Sequence, residues 1–235
     1  MGRAFEFRKA RKLKRWGKMS KTFTKIGKEI SMAVKEGGPN PDNNSRLRAA
    51  IQNAKSENMP KANVENAIKK ASSKDSANME EVNYEGYAPY GIAIYVETAT
   101  DNSTRTVANV RHIFTKHEGN LGTNGTLDFI FTRKANFTVK AEGIDIEELE
   151  LELIDFGLEE IDADGDELLI VTAFSDFGSM QSALEDKGLE LISAEKVRIP
   201  NSTVEVNDEQ REVIDKMLEK FDDDDDVLQV FTNMA

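Results

Sequence analysis

From Ser20 onward the apolar residues recur at helical spacing. Phe23, Ile26, Ile30 and Ala33 stand three and four apart, and the breaker run Gly37-Gly38-Pro39 ends the helix they predict. Leu47, Ile51 and Ala54 repeat the pattern, which predicts a second helix opening near Asp42 as its N-cap. A third is predicted after Met59-Pro60, because proline is tolerated in a first helical turn, with Val64, Ala67, Ile68 and Ala71 turned inward. Ahead of these helices, Phe5, Phe7, Leu13 and Trp16 are scattered with no core-facing stripe.

After the polar stretch 72–80 the pattern changes class. Gly91 to Thr98 reads as a strand, Asn102 or Ser103 can cap a helix carrying Val107, Val110 and Phe114, and Thr126 to Thr132 reads as another strand. Next comes a unit complete in itself: strand Asn136 to Lys140, helix Ile146 to Phe156, strands around Leu158 to Ile161 and Leu168 to Thr172, helix Phe177 to Lys187, and strand Leu189 to Ile199. That β-α-β-β-α-β order is ferredoxin-like. Beyond Pro200, the segment Ser202 to Val206, a helix Asp208 to Phe221 and a strand Val227 to Phe231 supply a second β-α-β, which joined to 82–134 completes another split sheet. The expected fold is α+β: an N-terminal helical bundle plus two ferredoxin-like α/β domains, the third domain inserted into the second. The expected boundaries are 1–79 for the helical domain, 80–134 with 201–235 for the discontinuous one, and 135–200 for the insertion.

Charge divides the chain at the same place. Of 235 residues, the first 75 hold 19 Lys and Arg against 7 Asp and Glu; the remainder hold 12 against 36. The net charge of −12 therefore hides a basic third in front of a strongly acidic body. Cations at this density neutralise phosphates and release counterions, so the basic third is expected to bind nucleic acid. The candidate contacts are Arg3, Arg8, Lys9, Arg11, Lys12, Lys14, Arg15, Lys18, Lys21, Lys25, Arg46, Arg48 and Lys61, with Trp16 able to stack on an exposed base. A solvated basic tail is the plainer alternative.

Composition narrows the chemistry further. Cysteine is absent and only His112 and His117 occur, which removes thiolate metal sites, cysteine nucleophiles, three-histidine sites and the Ser-His-Asp triad; no enzyme activity, metal or cofactor is expected. Gly119, Gly122 and Gly125 are followed by a strand pattern and lack the Lys-Ser or Lys-Thr of a phosphate loop, so they read as turns. Asp162 to Glu167 has its glycine fourth where a calcium loop needs it sixth, and reads as a hairpin turn. The acidic run Asp222 to Asp226 reads as a solvated loop before the last strand; the rival is contact with a basic partner or, in the absence of nucleic acid, with the chain's own basic head. No apolar run nears the roughly 20 residues of a membrane span, so a cytoplasmic protein with no membrane partner is expected.

Three long blocks carry a resemblance: 23–71 (FTKIGKEISMAVKEGG…IKKA), 83–131 (NYEGYAPYGIAIYVET…LDFIF) and 222–235 (DDDDDVLQVFTNMA). The chain resembles the YebC/PmpR family over nearly its whole length. It departs from the usual family pattern at Ala62, and at Ala88 and Tyr90, where YEGYAPYG replaces YEGYGPGG. The resemblance implies a basic helical domain followed by two α/β domains. It also implies one of two roles: DNA-binding transcriptional regulation, or action as a ribosome-associated translation factor that relieves stalling at proline runs.

These roles make different demands. A promoter-binding regulator needs a recognition helix, and the pair 42–57 and 60–71 is the candidate, although its connection SENMPK has no short glycine turn. A ribosome-bound factor needs a basic, aromatic-bearing segment that can enter RNA. The expected partner is ribosomal RNA, tRNA or promoter DNA, with the ribosome favoured and the protein expected to be a monomer.

Overall fold

The computed structural model describes residues 19–73 and 78–235, with side chains from Lys21 onward. In chain order the elements are α1 (Met19–Gly37), α2 (Ser45–Ser56), α3 (Lys61–Ala71), β1 (Glu80–Tyr87), β2 (Ala93–Thr100), α4 (Ser103–Lys116), β3 (Asn120–Leu121), β4 (Phe131–Lys140), α5 (Ile146–Leu153), β5 (Leu158–Asp164), β6 (Glu167–Ala173), α6 (Phe177–Asp186), β7 (Leu191–Pro200), α7 (Asp208–Asp223) and β8 (Val227–Thr232). The result is α+β, with N-terminal helices and two separate four-stranded antiparallel sheets. The described residues gather into two compact units, one drawn from the segments 19–73 and 133–197, the other from 78–132 and 198–235.

In the first unit the three helices bury Ile26, Ile30, Ala33 and Val34 of α1 against Leu47, Ala50 and Ala54 of α2 and Val64 and Ala71 of α3. The predicted N-cap at Asp42 is corrected. Asn40 caps a short 3-10 turn over Pro41–Asn43, and Asn44 caps α2, its side-chain oxygen accepting from the Leu47 amide at 3.0 Å. Asn44 is chosen because its other side-chain atom is needed too: Nδ2 donates to the carbonyls of Ala33 (2.7 Å) and Gly38 (2.9 Å), tying the end of α1 to the start of α2.

The sheet of this unit has the order β5-β6-β4-β7, the ferredoxin-like arrangement expected from the element order. Phe137 and Val139 of β4 and Leu168 and Ile170 of β6 pack under Leu149 and Leu153 of α5 and Met180 and Leu184 of α6. The Asp162 to Glu167 stretch turns at Gly165, whose φ of +66° suits glycine, between the paired Asp164 and Glu167. Helix α2 serves both cores, because Ala49 joins the sheet's cluster. Asn53 then grips strand β7, donating from Nδ2 to the Ala194 carbonyl (2.7 Å) and accepting the Ala194 amide (2.9 Å). Those two hydrogen bonds satisfy backbone groups on an edge strand that would otherwise be open to pairing.

In the second unit the order is β3-β1-β2-β8, covered by α4 and α7. Ile94 and Val96 of β2 meet Val110 and Phe114 of α4 and Ile214, Met217 and Phe221 of α7, with Phe114 and Phe221 edge to face at 5.2 Å. Two predicted strands are corrected. Residues 124–130 form turns, so the strand read at Thr126 to Thr132 begins only at Phe131, and Ser202 to Val206 makes a single bridge, Val204 to Met234. Their places in the sheet are taken by β1 and the two-residue β3. Gly86 allows this close approach: a Cβ there would lie 2.4 Å from the Asn120 carbonyl oxygen and 2.8 Å from the Phe114 ring.

Candidate nucleic-acid interface

Arg3, Arg8, Lys9, Arg11, Lys12, Lys14, Arg15, Trp16 and Lys18 lie outside the described residues. The other five candidates all fall on the helices of the first unit. Lys21 and Lys25 share a stripe of α1 with Lys28, spaced four and three apart, on the side turned away from Ile26 and Ile30. Lys61 opens α3 and is highly exposed, with Glu65 one turn on at 3.7 Å. Arg46 and Arg48 are held differently. Arg46 pairs with Glu36 at 2.5 Å, and Arg48 bonds Glu185 at 3.1 Å together with the carbonyls of Pro41 (2.9 Å) and Asp42 (3.1 Å). Arg48 therefore braces the helices against α6. The helices carry further exposed cations that the sequence reading passed over, Lys35, Lys55, Lys69 and Lys70. Their signal was their position outside the apolar stripe, with Lys69 and Lys70 in the last turn of α3, where positive charge suits the helix dipole.

The geometry of α2 bears on how duplex DNA could be met. One side of it faces the helical core through Leu47, Ala50 and Ala54, and another faces the sheet through Ala49, Gln52 and Asn53; Gln52 donates to the Leu191 carbonyl. Helix α3 presents Ala62, Glu65, Asn66 and Lys69 outward. A glutamate in the middle of that surface opposes a phosphate-lined groove.

Two other stretches singled out by sequence have internal work. The loop containing Gly122 and Gly125 is organised by Glu85, a carboxylate only 3% exposed, which accepts the amides of Gly125 (2.8 Å) and Leu127 (2.6 Å). Amides so engaged are not offered to a phosphate. The same loop holds out Phe129, 74% exposed, an aromatic the sequence reading had assigned to a strand. In the acidic run Asp222 to Asp226, the solvated-loop reading is corrected: Asp222 and Asp223 belong to α7, and only Asp225 of the five is exposed. Asp226 is buried and accepts from Arg105 Nε (3.2 Å) and Nη2 (2.8 Å), the Thr106 hydroxyl (2.8 Å) and the Thr100 hydroxyl (3.3 Å). Those hydrogen bonds to Asp226 and Asp101 raise the affinity of Arg105 for its proton. His112 is exposed on α4, whereas His117 at its end is half-buried with Nε2 unpartnered, and burial first, then Lys116 and Lys220, pushes its pKa down. Among the described residues no group of three or more His, Asp or Glu side chains is placed to hold a metal ion, and no helix is long and apolar enough to cross a membrane.

Comparison with known proteins decides the family. Residues 3–74 match the TACO1/YebC protein N-terminal domain, and residues 79–234 match the TACO1/YebC second and third domain. The chain belongs to the TACO1/YebC family. A protein of Porphyromonas gingivalis called a probable transcriptional regulatory protein is 60% identical over all of this chain and 97% of its own length. One of Flavobacterium johnsoniae with the same description is 58% identical, over all of this chain and 99% of its own. Among solved structures, a conserved hypothetical protein from Aquifex aeolicus shares 39% identity at a TM-score of 0.80, with 94% of this chain and 91% of that one covered. Within this TACO1/YebC chain, the Tyr90 departure has a structural consequence. It sits at the β1–β2 hairpin tip with φ +65°, the left-handed region that glycine enters freely and tyrosine does not.

Proposed function

We propose that the chain is a non-enzymatic regulator of gene expression whose basic N-terminal third holds the phosphate backbone of RNA on the ribosome, in the manner of a translation factor that relieves stalling at proline runs. The charge division carries the reading: 19 cations against 7 acids in the first 75 residues, in front of 160 residues with the opposite balance. Of the two parts, the basic third is the one that a polyanion attracts. Arg3, Arg8, Lys9, Arg11, Lys12, Lys14, Arg15 and Lys18 supply the backbone contacts, Trp16 stacks, and Lys21, Lys25 and Lys61 extend the surface along α1 and α3. Arg46 and Arg48 contribute less, since their side chains are 26% and 24% exposed where that of Lys61 is 90%.

Promoter DNA is the second reading, favoured by the description that relatives carry. Against it, α2 is packed on two sides and α3 has Glu65 mid-surface, a poor pair for major-groove docking. Co-sedimentation with purified ribosomes tests the proposal. The native chain should pellet with them and be released steeply by salt, and a variant with the Lys and Arg of residues 1–18 changed to Gln should stay in the supernatant. Full ribosome association by that variant would contradict the basic third as anchor.

A further inference from the structure

Between Lys140 and Lys187 the chain runs 46 residues with no Lys or Arg and 16 Asp and Glu. Within that span, α5 buries Leu149 and Leu153 and turns the opposite stripe outward. Leu151 is 71% exposed, and the 3-10 turn that follows adds Ile154 at 56% and Phe156 at 38%. Three large apolar side chains this open, this close in sequence, are unusual on a surface helix, whose outward stripe is ordinarily polar. Glu147 and Glu150 stand one turn before Leu151 and Ile154 on that stripe, and Asp155 stands one turn after Leu151. Among the described residues none of these three carboxylates has a cationic partner, whereas Glu152 on the flank is paired with Lys187 at 2.5 Å.

We propose that this face, Leu151, Ile154 and Phe156 framed by Glu147, Glu150 and Asp155, docks a Lys/Arg-rich segment of a separate protein, one that carries apolar side chains. Charge selects the occupant. A nucleic acid is repelled by so dense a negative field, and a neutral apolar segment leaves the carboxylates unused; a basic amphipathic segment satisfies both. The inference does not rest on the nucleic-acid reading, since the surface belongs to a part of the chain with no cation of its own.

The test measures binding of two fluorescently labelled peptides of equal charge to the full chain: a twelve-residue amphipathic helix former with Leu three and four apart and Lys between, and an oligolysine. The Lys/Leu peptide should bind the native protein at least tenfold more tightly than oligolysine. Leu151→Ser with Ile154→Ser should weaken it at least tenfold, since leaving even one of the two large apolar side chains uncovered has about that effect. Glu147→Gln with Glu150→Gln and Asp155→Asn should weaken it comparably and reduce its salt dependence. All five positions are exposed, so unchanged melting temperatures confirm that folding is not the cause. Equal binding of both peptides, or indifference to both variants, overturns the proposal. So does a tenfold gain in peptide affinity when the Lys and Arg of residues 1–18 are changed to Gln, which makes the chain's own basic head the occupant. A native dimer that Leu151→Ser dissociates overturns it as well.

Discussion

Asp226 shows how one residue inside a run of five like charges can have a wholly different role from its neighbours. It is the N–H and hydroxyl donors of Arg105, Thr100 and Thr106 that make a buried carboxylate tolerable there. Arg105 is itself half-exposed, so losing the pair does not strand a buried cation. Asp226→Ala should therefore lower stability by about 2 kcal/mol, chiefly through unsatisfied hydroxyls and lost hydrogen bonds, readable as a shifted urea midpoint with unchanged slope. Tyr90 makes the opposite prediction. Tyr90→Gly relieves a left-handed backbone while adding chain entropy to the unfolded state, so it should be neutral or stabilise by up to about 1 kcal/mol, whereas Tyr90→Val should destabilise by about 1–2 kcal/mol. Thermal melts of the two variants check the pair. His117 predicts a pH effect. Its folded pKa lies below the ordinary 6.5, so the unfolded chain binds the proton more readily. The folded state therefore keeps its full stability above pH 6.5 and loses some as pH falls from there toward the folded value. Urea unfolding at pH 7.5 and 5.5 should show this loss in the native protein, and a smaller one in His117→Asn.

At the scale of elements, the attachment of α2 to β7 is the most exposed to test. Asn53→Ala removes both hydrogen bonds to Ala194 and frees the groups they satisfied, which should lower stability by about 1–3 kcal/mol and speed exchange of the Ala194 amide. Nothing in the sequence marks Asn53 for this role, because it sits mid-helix and its partner lies 141 residues away. By contrast, α1 and the β-α-β-β-α-β unit were legible, since each is written as a local periodicity that its own core uses. The stretch Thr126 to Thr132 shows where periodicity fails. Its apolar run is strand-like, but a buried glutamate some forty residues earlier captures the Gly125 and Leu127 amides and holds the chain in turns until Phe131. β1 was invisible for the same reason seen from the other side: Glu85 and Gly86 look like strand breakers until Glu85 has a loop to organise and Gly86 a neighbour to admit. Asp42 and Asn44 are equally good caps by type; only the carbonyls of Ala33 and Gly38 choose between them.

For the whole molecule, the central observation is that charge of opposite sign is separated along the chain at the junction of a helical segment and an α/β body. This much was plain from composition. Which cations stand open was not: Arg46 and Arg48 look no different from Lys61 until the fold leaves their side chains 26% and 24% exposed against its 90%. Affinity for any nucleic acid should fall steeply with salt, and it should fall further when residues 1–18 are neutralised than when Arg48 is changed to Gln. The most direct test is in-cell ultraviolet crosslinking, with the recovered RNA and DNA sequenced in parallel and the neutralised 1–18 variant as control. Enrichment of ribosomal RNA or tRNA that the control loses is the predicted result; enrichment of a few DNA sites sharing a sequence, with RNA at background, would contradict it.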